Sequence, residues 1–151
     1  MFELRPFSRE DAPLLKELIY PDLTIPEIEQ LISSWNTKEY RGRYFEMFGA
    51  IHDNRIVGTL SLFELSPHSL SCGPEILPQY RKQGFGRQAM LTAMEIAKGK
   101  GYQISVSQIA VNNKASIALH QSLGFESSGY VYKNQKGNDV LIYFKSLVPC
   151  I

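Results

Sequence analysis

Arg81-Lys82-Gln83-Gly84-Phe85-Gly86-Arg87 is the most informative segment of this sequence. It lies between an apolar run that ends in Leu77-Pro78 and a run from Gln88 to Lys100 with helical spacing of its apolar residues. A strand, a short glycine loop and a helix together present several backbone N–H groups to one anion. The first N–H groups of a helix have no partner inside it, and the helix dipole adds partial positive charge there. The sequence therefore predicts a phosphate-bearing ligand bound mainly by main chain.

The composition of this loop supports the same interpretation. Gly84 and Gly86 allow a close approach of the ligand, because they have no Cβ. Arg81, Lys82 and Arg87 add full positive charges. The alternative is an ordinary turn whose basic side chains are solvated, so the backbone N–H groups are the stronger part of the prediction.

Two other phosphate-binding motifs share parts of this pattern. Residues 84–89 read as G-x-G-x-x-A, the dinucleotide fingerprint, which needs an acidic residue about twenty positions further on. The segment from Ile104 to Ile109 contains no carboxylate. A nucleotide-triphosphate loop needs Gly-Lys-Ser or Gly-Lys-Thr after its first glycine, and that sequence is missing here. Neither motif is complete.

A second motif lies downstream, Asn-Lys-Ala-Ser-Ile-Ala-Leu-His-Gln-Ser-Leu-Gly-Phe at residues 113–125. The spacing places Asn113, Ser116 and His120 on one face of a helix. Gly124-Phe125 is typical of a helix stop. Asn113 also suits a plain helix N-cap, and a polar helix face also suits solvent, so a ligand-facing role needs further support.

The two motifs, R-x-x-G-x-G at residues 81–86 and N-x-x-S-I-x-L-H-x-x-L-G-F at residues 113–125, resemble those of the GNAT superfamily of acyl-CoA-dependent N-acetyltransferases. The resemblance covers most of the chain, and the downstream motif is similar to that of the phosphinothricin-type enzymes. It implies acetyl-CoA as cosubstrate, no metal, and as acceptor a primary amine of a small molecule, amino acid or peptide. The cofactor-binding residues that it implies are Ile76, Leu77, Arg81, Lys82, Gln83, Gly84, Phe85, Gly86, Arg87, Asn113, Ser116 and His120.

The resemblance also implies two catalytic candidates, Glu75 and His120. Glu75 stands where many relatives have a carboxylate that acts as base through water, and its alternative is a surface strand residue. His120 occupies the position of the family's tyrosine general acid. An imidazole with a pKa near ~6.5 is partly deprotonated at neutral pH. His120 could therefore be an acid, a base, a hydrogen-bond donor to the cofactor sulfur or a buried core histidine. A non-catalytic acyl-CoA-binding or sensing module on the same fold is the alternative function.

Composition agrees with one domain over residues 1–151. Sixteen Lys and Arg residues nearly balance 15 Asp and Glu residues, so the net charge does not favour binding to nucleic acid or to a membrane. Cys72 and Cys150 are too few for a disulfide framework or a metal site. Because the N-terminus lacks the apolar core of a signal peptide, a cytoplasmic protein is expected; a homodimer is compatible with these features.

Hydrophobic patterning predicts an α/β (α+β) domain with a mixed, mainly antiparallel twisted sheet of about seven strands flanked by helices. The strands on either side of the helix over residues 88–100 are joined by a crossover and should run parallel. The resemblance implies that this parallel pair splays apart. Gly73-Pro74 predicts a bulge or a splay in the first of these strands. The predicted strands cover residues 2–6, 45–52, 55–65, 70–77, 103–111, 126–132 and 140–147, with a tight hairpin turn at Asp53-Asn54. Apolar residues at helical spacing up to Trp35, preceded by Thr24 and Glu27 as a capping box, predict a second helix.

Overall fold

A computed structural model describes residues 1–149, so Cys150 lies outside the described residues. The helices are α1 (Ala12–Leu18), α2 (Ile25–Trp35), α3 (Phe85–Gly99) and α4 (Lys114–Ser122). The strands are β1 (Phe2–Pro6), β2 (Glu39–Tyr40), β3 (Arg43–His52), β4 (Arg55–Ser66), β5 (Ser69–Ile76), β6 (Ile104–Ala110), β7 (Glu126–Ser127), β8 (Tyr132–Lys133) and β9 (Asp139–Ser146).

The strands form one sheet with the order β1-β3-β4-β5-β6-β9-β7, to which β2 adds beside β3 and β8 beside β9. The β5–β6 pair is parallel, and the other pairs are antiparallel. The mixed, mainly antiparallel sheet predicted from the sequence is confirmed, with seven strands in the main path and two short additions.

The parallel pair separates soon after it begins. Only Ser69↔Ile104 and Leu70↔Ser105 are in register, although β5 continues to Ile76. The carboxyl ends of β5 and β6 are therefore open to each other, as the resemblance implied. This opening lies beside the start of α3, the helix that connects the two strands.

Of the bulge or splay predicted at Gly73-Pro74, the structure shows the splay and not the bulge. The register between β4 and β5 is continuous there, and the irregularity lies instead between Glu64 and Ser66. The backbone N–H of Leu77 donates to the carbonyl of Val57 on the β4 side. Since backbone polar groups alternate along a strand, the nitrogen of Pro74 faces the open gap, where no ladder donor is needed.

Each face of the sheet carries its own core. Helix α3 packs on one face, where the buried core includes Leu60, Leu70 and Met90. Helices α1 and α2 pack on the other face, around Phe7 and Trp35. The capping box predicted for α2 is present. The N–H of Glu27 donates to Thr24 Oγ1 at 3.2 Å, and the N–H of Thr24 donates to Glu27 Oε1 at 3.0 Å.

Two element boundaries differ from the sequence prediction. Helix α3 begins at Phe85 rather than Gln88, because Gly84 adopts φ 85° and serves as the N-cap. The strand predicted over residues 126–132 is divided into β7 and β8, because the chain turns at Gly129, where φ is 80°. The tight hairpin predicted between β3 and β4 is confirmed by positive φ at both Asp53 and Asn54.

Candidate functional site

A groove of about 610 Å³ opens where β5 and β6 diverge, and both sequence motifs contribute to it. Nine of the twelve predicted cofactor-binding residues lie along it; Leu77, Gln83 and His120 do not. Sequence reasoning missed Pro74, Tyr80, Ala115 and Leu119 as lining residues. The full lining is Pro74, Glu75, Ile76, Tyr80, Arg81, Lys82, Gly84, Phe85, Gly86, Arg87, Asn113, Ala115, Ser116 and Leu119.

The start of α3 supplies the main-chain donors of this groove. The first backbone bond of the helix runs from the N–H of Gln88 to the carbonyl of Gly84 at 3.1 Å. The N–H groups of Phe85, Gly86 and Arg87 therefore precede the intrahelical ladder and have no partner within it. Together with the helix dipole they form a site suited to an anion.

The two loop glycines are needed for different reasons. Gly84 adopts φ +85°, which side chains other than glycine rarely adopt. Gly86 has no such φ. A Cβ placed on it would lie 3.5 Å from Leu119 Cδ2 and 3.8 Å from Ile76 Cγ1. Gly86 thus keeps open the space between β5 and α4, which is the floor of the groove.

The basic side chains of the loop differ in what they touch. Arg81 Nε donates to the carbonyl oxygen of Ile76 at 3.0 Å. Arg87 Nη1 donates to Ser122 Oγ at 2.9 Å and so connects α3 to α4. Among residues 1–149, neither these arginines nor Lys82 forms an ion pair with a carboxylate. Their charges are therefore available to an anionic ligand.

The side chain of Phe85 has a structural task. It is buried against Ala50 and Val57, and its ring stacks at 6.3 Å from that of Phe2. This packing fixes the first turn of α3, so only the backbone N–H of Phe85 faces the groove as a donor. Leu77 uses its N–H in the sheet, as described above, and Gln83 Nε2 donates to the carbonyl of Gln79 at 3.4 Å.

Glu75 lies exposed at the carboxyl end of β5 and lines the groove. It is in register with Thr59, which is in turn in register with Gly49. A Cβ on Gly49 would lie 2.9 Å from the ring of Phe7, on the face covered by α1 and α2. The carboxylate therefore stands on the sheet face opposite α3, at the mouth of the opening.

The structure places His120 beneath α4 rather than in the groove. Its side chain is 3% exposed and its ring lies 4.9 Å from that of Phe125. Nδ1 is 2.8 Å from the carbonyl oxygen of Ser116, and Nε2 is 3.2 Å from Ser107 Oγ. Because a carbonyl only accepts, Nδ1 carries the proton and Nε2 accepts from the serine hydroxyl. Burial lowers the pKa of His120 below its ordinary value of 6.5.

The burial of His120 predicts a pH-dependent stability. The unfolded chain has the higher histidine pKa, so it binds more protons than the folded protein just below pH 6.5. The free energy of unfolding should therefore fall as the pH falls through about 6.5. His120→Phe is expected to reduce this slope, measured by urea denaturation between about pH 5.5 and about pH 7.5. His68→Phe, at an exposed histidine, is the control. Equal slopes in both variants and the parent would contradict the prediction.

Among residues 1–149, no three His, Cys, Asp or Glu side chains come together as a candidate metal site. Nor does this part of the chain contain a helix long and apolar enough to cross a membrane.

Comparison with known sequences gives a consistent family. A family model described as "Acetyltransferase (GNAT) family" matches residues 11–125. The L-methionine sulfoximine/L-methionine sulfone acetyltransferase of Pseudomonas aeruginosa is 43% identical over 49 residues, which are 32% of this chain and 28% of that protein. N-acetyltransferase family 8 member 3 of Rattus norvegicus is 30% identical over 70 residues, 44% of this chain and 31% of that protein. The match thus spans less than a third of these curated relatives.

Solved structures with the same fold extend over nearly the whole chain. A ribosomal L7/L12 alpha-N-protein acetyltransferase in complex with coenzyme A has a TM-score of 0.82 at 20% identity and covers 96% of this chain and 93% of its own. A chimera of the spermidine N-acetyltransferase from Vibrio cholerae and hSSAT has a TM-score of 0.78 at 19% identity, over 97% of this chain and 95% of its own. At these identities the likeness shows the fold alone. Because the family model matches residues 11–125, most of its length, the chain belongs to the acetyltransferase (GNAT) family.

Proposed function

We propose that this protein is an acetyl-CoA-dependent N-acetyltransferase that modifies a primary amine of a small molecule, amino acid or peptide. One observation carries the proposal: the glycine-loop motif and the Asn113 motif line a single groove at the splayed strand ends, with Glu75 at its mouth. A groove that brings a main-chain anion site next to an open strand end suits a ligand with phosphates at one end and amides further along.

The residues of the groove divide into two parts that fit such a ligand. The N–H groups at the start of α3, with Arg81, Lys82 and Arg87 around them, would hold the pyrophosphate. The open end of β5 would offer its gap-facing backbone groups to the amides of the pantetheine arm. Asn113 is engaged at its own helix, where Oδ1 accepts from the N–H of Ser116 at 3.2 Å.

Acetyl-CoA would supply a thioester acyl group, which a neutral amine attacks directly in a ternary complex. A C–N bond forms, the C–S bond breaks, and the amine loses one proton while the thiolate gains one. A lysine-like amine has a pKa near ~10.4 and is mostly charged at neutral pH, so its proton must be removed. We assign this task to Glu75, acting directly or through water, because it is the acidic side chain that lines the groove.

His120 receives a different role in this proposal. Of the roles that the sequence leaves open, its burial and its two hydrogen bonds support the buried core histidine. It would hold α4 against β6 through Ser116 and Ser107, and so support the wall of the groove. The leaving thiolate, with a pKa near ~8.5, would then take its proton from water.

The acceptor is proposed at the level of chemical class. The relatives described above are named for acetylating methionine sulfoximine, spermidine and a ribosomal-protein N-terminus, and each of these is a primary amine. The phosphinothricin-like downstream motif favours a small amine or an amino-acid analogue. A library of such amines, incubated with acetyl-CoA and assayed for release of free thiol, tests the proposal. If the protein binds the cofactor but acetylates none of the amines in the library, the proposal is contradicted.

Cofactor binding gives a test that needs no acceptor. A ligand that binds only the native state stabilises it by RT ln(1 + [L]/Kd), about 2.7 kcal/mol at a hundredfold excess over Kd. CoA and acetyl-CoA are therefore expected to raise the melting temperature in a concentration-dependent way. NAD is the control, because the segment about twenty residues after the glycine loop, Ile104 to Ile109, lacks the carboxylate that a dinucleotide site needs. A rise in melting temperature with NAD and none with CoA would contradict the assignment of CoA as the ligand of this groove.

The alternative is a non-catalytic acyl-CoA-binding or sensing module. The burial of His120, at the family's proton-donor position, is the observation that favours it. A binding module and an enzyme share the groove, but only an enzyme needs Glu75. Slow hydrolysis of acetyl-CoA by the purified protein without acceptor, lost in Glu75→Gln, would favour the enzyme. Tight CoA binding with no thioester cleavage would favour the module.

A further inference from the structure

The carbonyl oxygen of Ile76 has an unusual position at the end of β5. The N–H of the next residue, Leu77, donates to Val57 at 2.9 Å on the β4 side. Because polar groups alternate along a strand, the carbonyl of Ile76 points the other way, into the gap toward β6. Strand pairing across that gap has ended at Leu70↔Ser105. The neighbouring strand therefore offers this carbonyl no ladder partner.

The partner of this carbonyl is a side chain of the glycine-loop motif. Arg81 follows a 3-10 turn over Pro78–Tyr80, and its Nε donates to the carbonyl oxygen of Ile76 at 3.0 Å. A guanidinium has five N–H donors in a fixed fork, so this bond uses one and leaves the Nη groups free. Arg81, Ile76 and Glu75 all line the groove. One planar group thus contacts both the strand end that carries Glu75 and the space where an anion would bind.

We propose that Arg81 is a positioning residue, whose Nε–H fixes the end of β5 so that the Glu75 carboxylate is held for proton transfer while its Nη groups face the cofactor phosphates. This inference rests on the proposed acetyltransferase function. It separates two roles within one side chain. The charge of the guanidinium serves cofactor affinity, and the Nε–H donor serves the orientation of the base. A phosphate on the Nη groups would further immobilise the guanidinium and with it the strand end, so cofactor binding and base orientation would be linked.

Two neutral substitutions of matched length separate these roles. In Arg81→Gln the amide nitrogen occupies the chain position of Nε, so it can still donate to the Ile76 carbonyl. Arg81→Met has the same length and no donor. Both variants lose the charge and should weaken CoA binding by a similar factor, about fivefold to tenfold. Lys98→Met, at an exposed lysine in the last turn of α3 and outside the groove, is the control for loss of a positive charge without loss of the Ile76 bond.

The expected difference between the two variants lies in kcat and in hydrogen exchange. With an acceptor from the amine screen, Arg81→Met should have a kcat about tenfold below that of Arg81→Gln, because a misplaced base loses much of its effect. The Leu77 amide should exchange about fivefold faster in Arg81→Met than in Arg81→Gln, because one hydrogen bond no longer holds the strand end. Lys98→Met should match the parent in both measurements.

The outcomes also distinguish this inference from the proposed function. Equal kcat and equal Leu77 exchange in Arg81→Gln and Arg81→Met would overturn the positioning role, even if the parent binds CoA and acetylates amines. If the parent has no activity, the proposed function fails, and the exchange comparison alone still tests whether the Nε–H holds the strand end. Because Arg81 is exposed, the melting curves of both variants are expected to match that of the parent.

Discussion

Gly86→Val is expected to abolish CoA binding while the protein remains folded. A Cβ at this position already lies in van der Waals contact with Leu119 Cδ2 at 3.5 Å and Ile76 Cγ1 at 3.8 Å. The two further methyl groups of valine would fill the space between β5 and α4, where the groove has its floor. Because the ligand must approach the backbone there, we expect Kd to rise about a hundredfold or more. Helix stability should not suffer, since valine has a better helix propensity than glycine.

Isothermal titration with CoA measures this effect, and thermal melting without ligand checks the fold. Gly99→Val is the matched control. It lies at the other end of the same helix, and a Cβ there would meet no atom within 4 Å. It should bind CoA as the parent does. A Kd for Gly86→Val within about threefold of the parent would mean that the phosphates bind elsewhere. Gly84→Val is a less clean test, because its φ of +85° adds backbone strain to any steric effect.

Much of the fold follows from local sequence rules. The helical spacing that ends at Trp35, the capping residues Thr24 and Glu27, and the turn residues Asp53-Asn54 each describe short-range geometry, and all three predictions are confirmed. The splay of β5 and β6 was implied by the resemblance, and the residues Gly73-Pro74 left a bulge and a splay open. The structure has the splay and no bulge, because proline disrupts a ladder only on the side where its nitrogen faces a partner strand.

The site was predicted less completely. The spacing of residues along a helix shows which side chains share a face, but not what that face packs against. Ser116 and His120 share a face of α4, yet Ser116 lines the groove while His120 is buried against Ser107 of β6. The first turn of α4 stands beside the opening, and its last turn packs over the strand. Arg87 likewise carries the expected charge, but its bond to Ser122 depends on the packing of α3 against α4. Contacts of this kind are tertiary, and no local pattern contains them.

Glu75→Gln is expected to lower kcat by about a hundredfold or more without changing the affinity for CoA. Glutamine keeps the size of the side chain but cannot accept a proton at neutral pH. The anion site at the start of α3 should be unaffected, because the side chain of Glu75 stands on the opposite face of the sheet from that helix. Glu95→Gln, at an exposed glutamate on α3, is the control and should retain parental kcat.

The choice of acceptor sharpens this test of Glu75. A base is needed because a typical amine with a pKa near ~10.4 is protonated at neutral pH. Acceptors of lower pKa, or assays at higher pH, present more of the neutral amine and depend less on proton removal. The ratio of parental to Glu75→Gln kcat should therefore shrink as the amine pKa falls toward the assay pH, with thiol release as the readout. A ratio that is large but independent of amine pKa would indicate that Glu75 orients the acceptor and does not take its proton. A ratio near one with every amine would remove Glu75 from the reaction and assign proton removal to solvent.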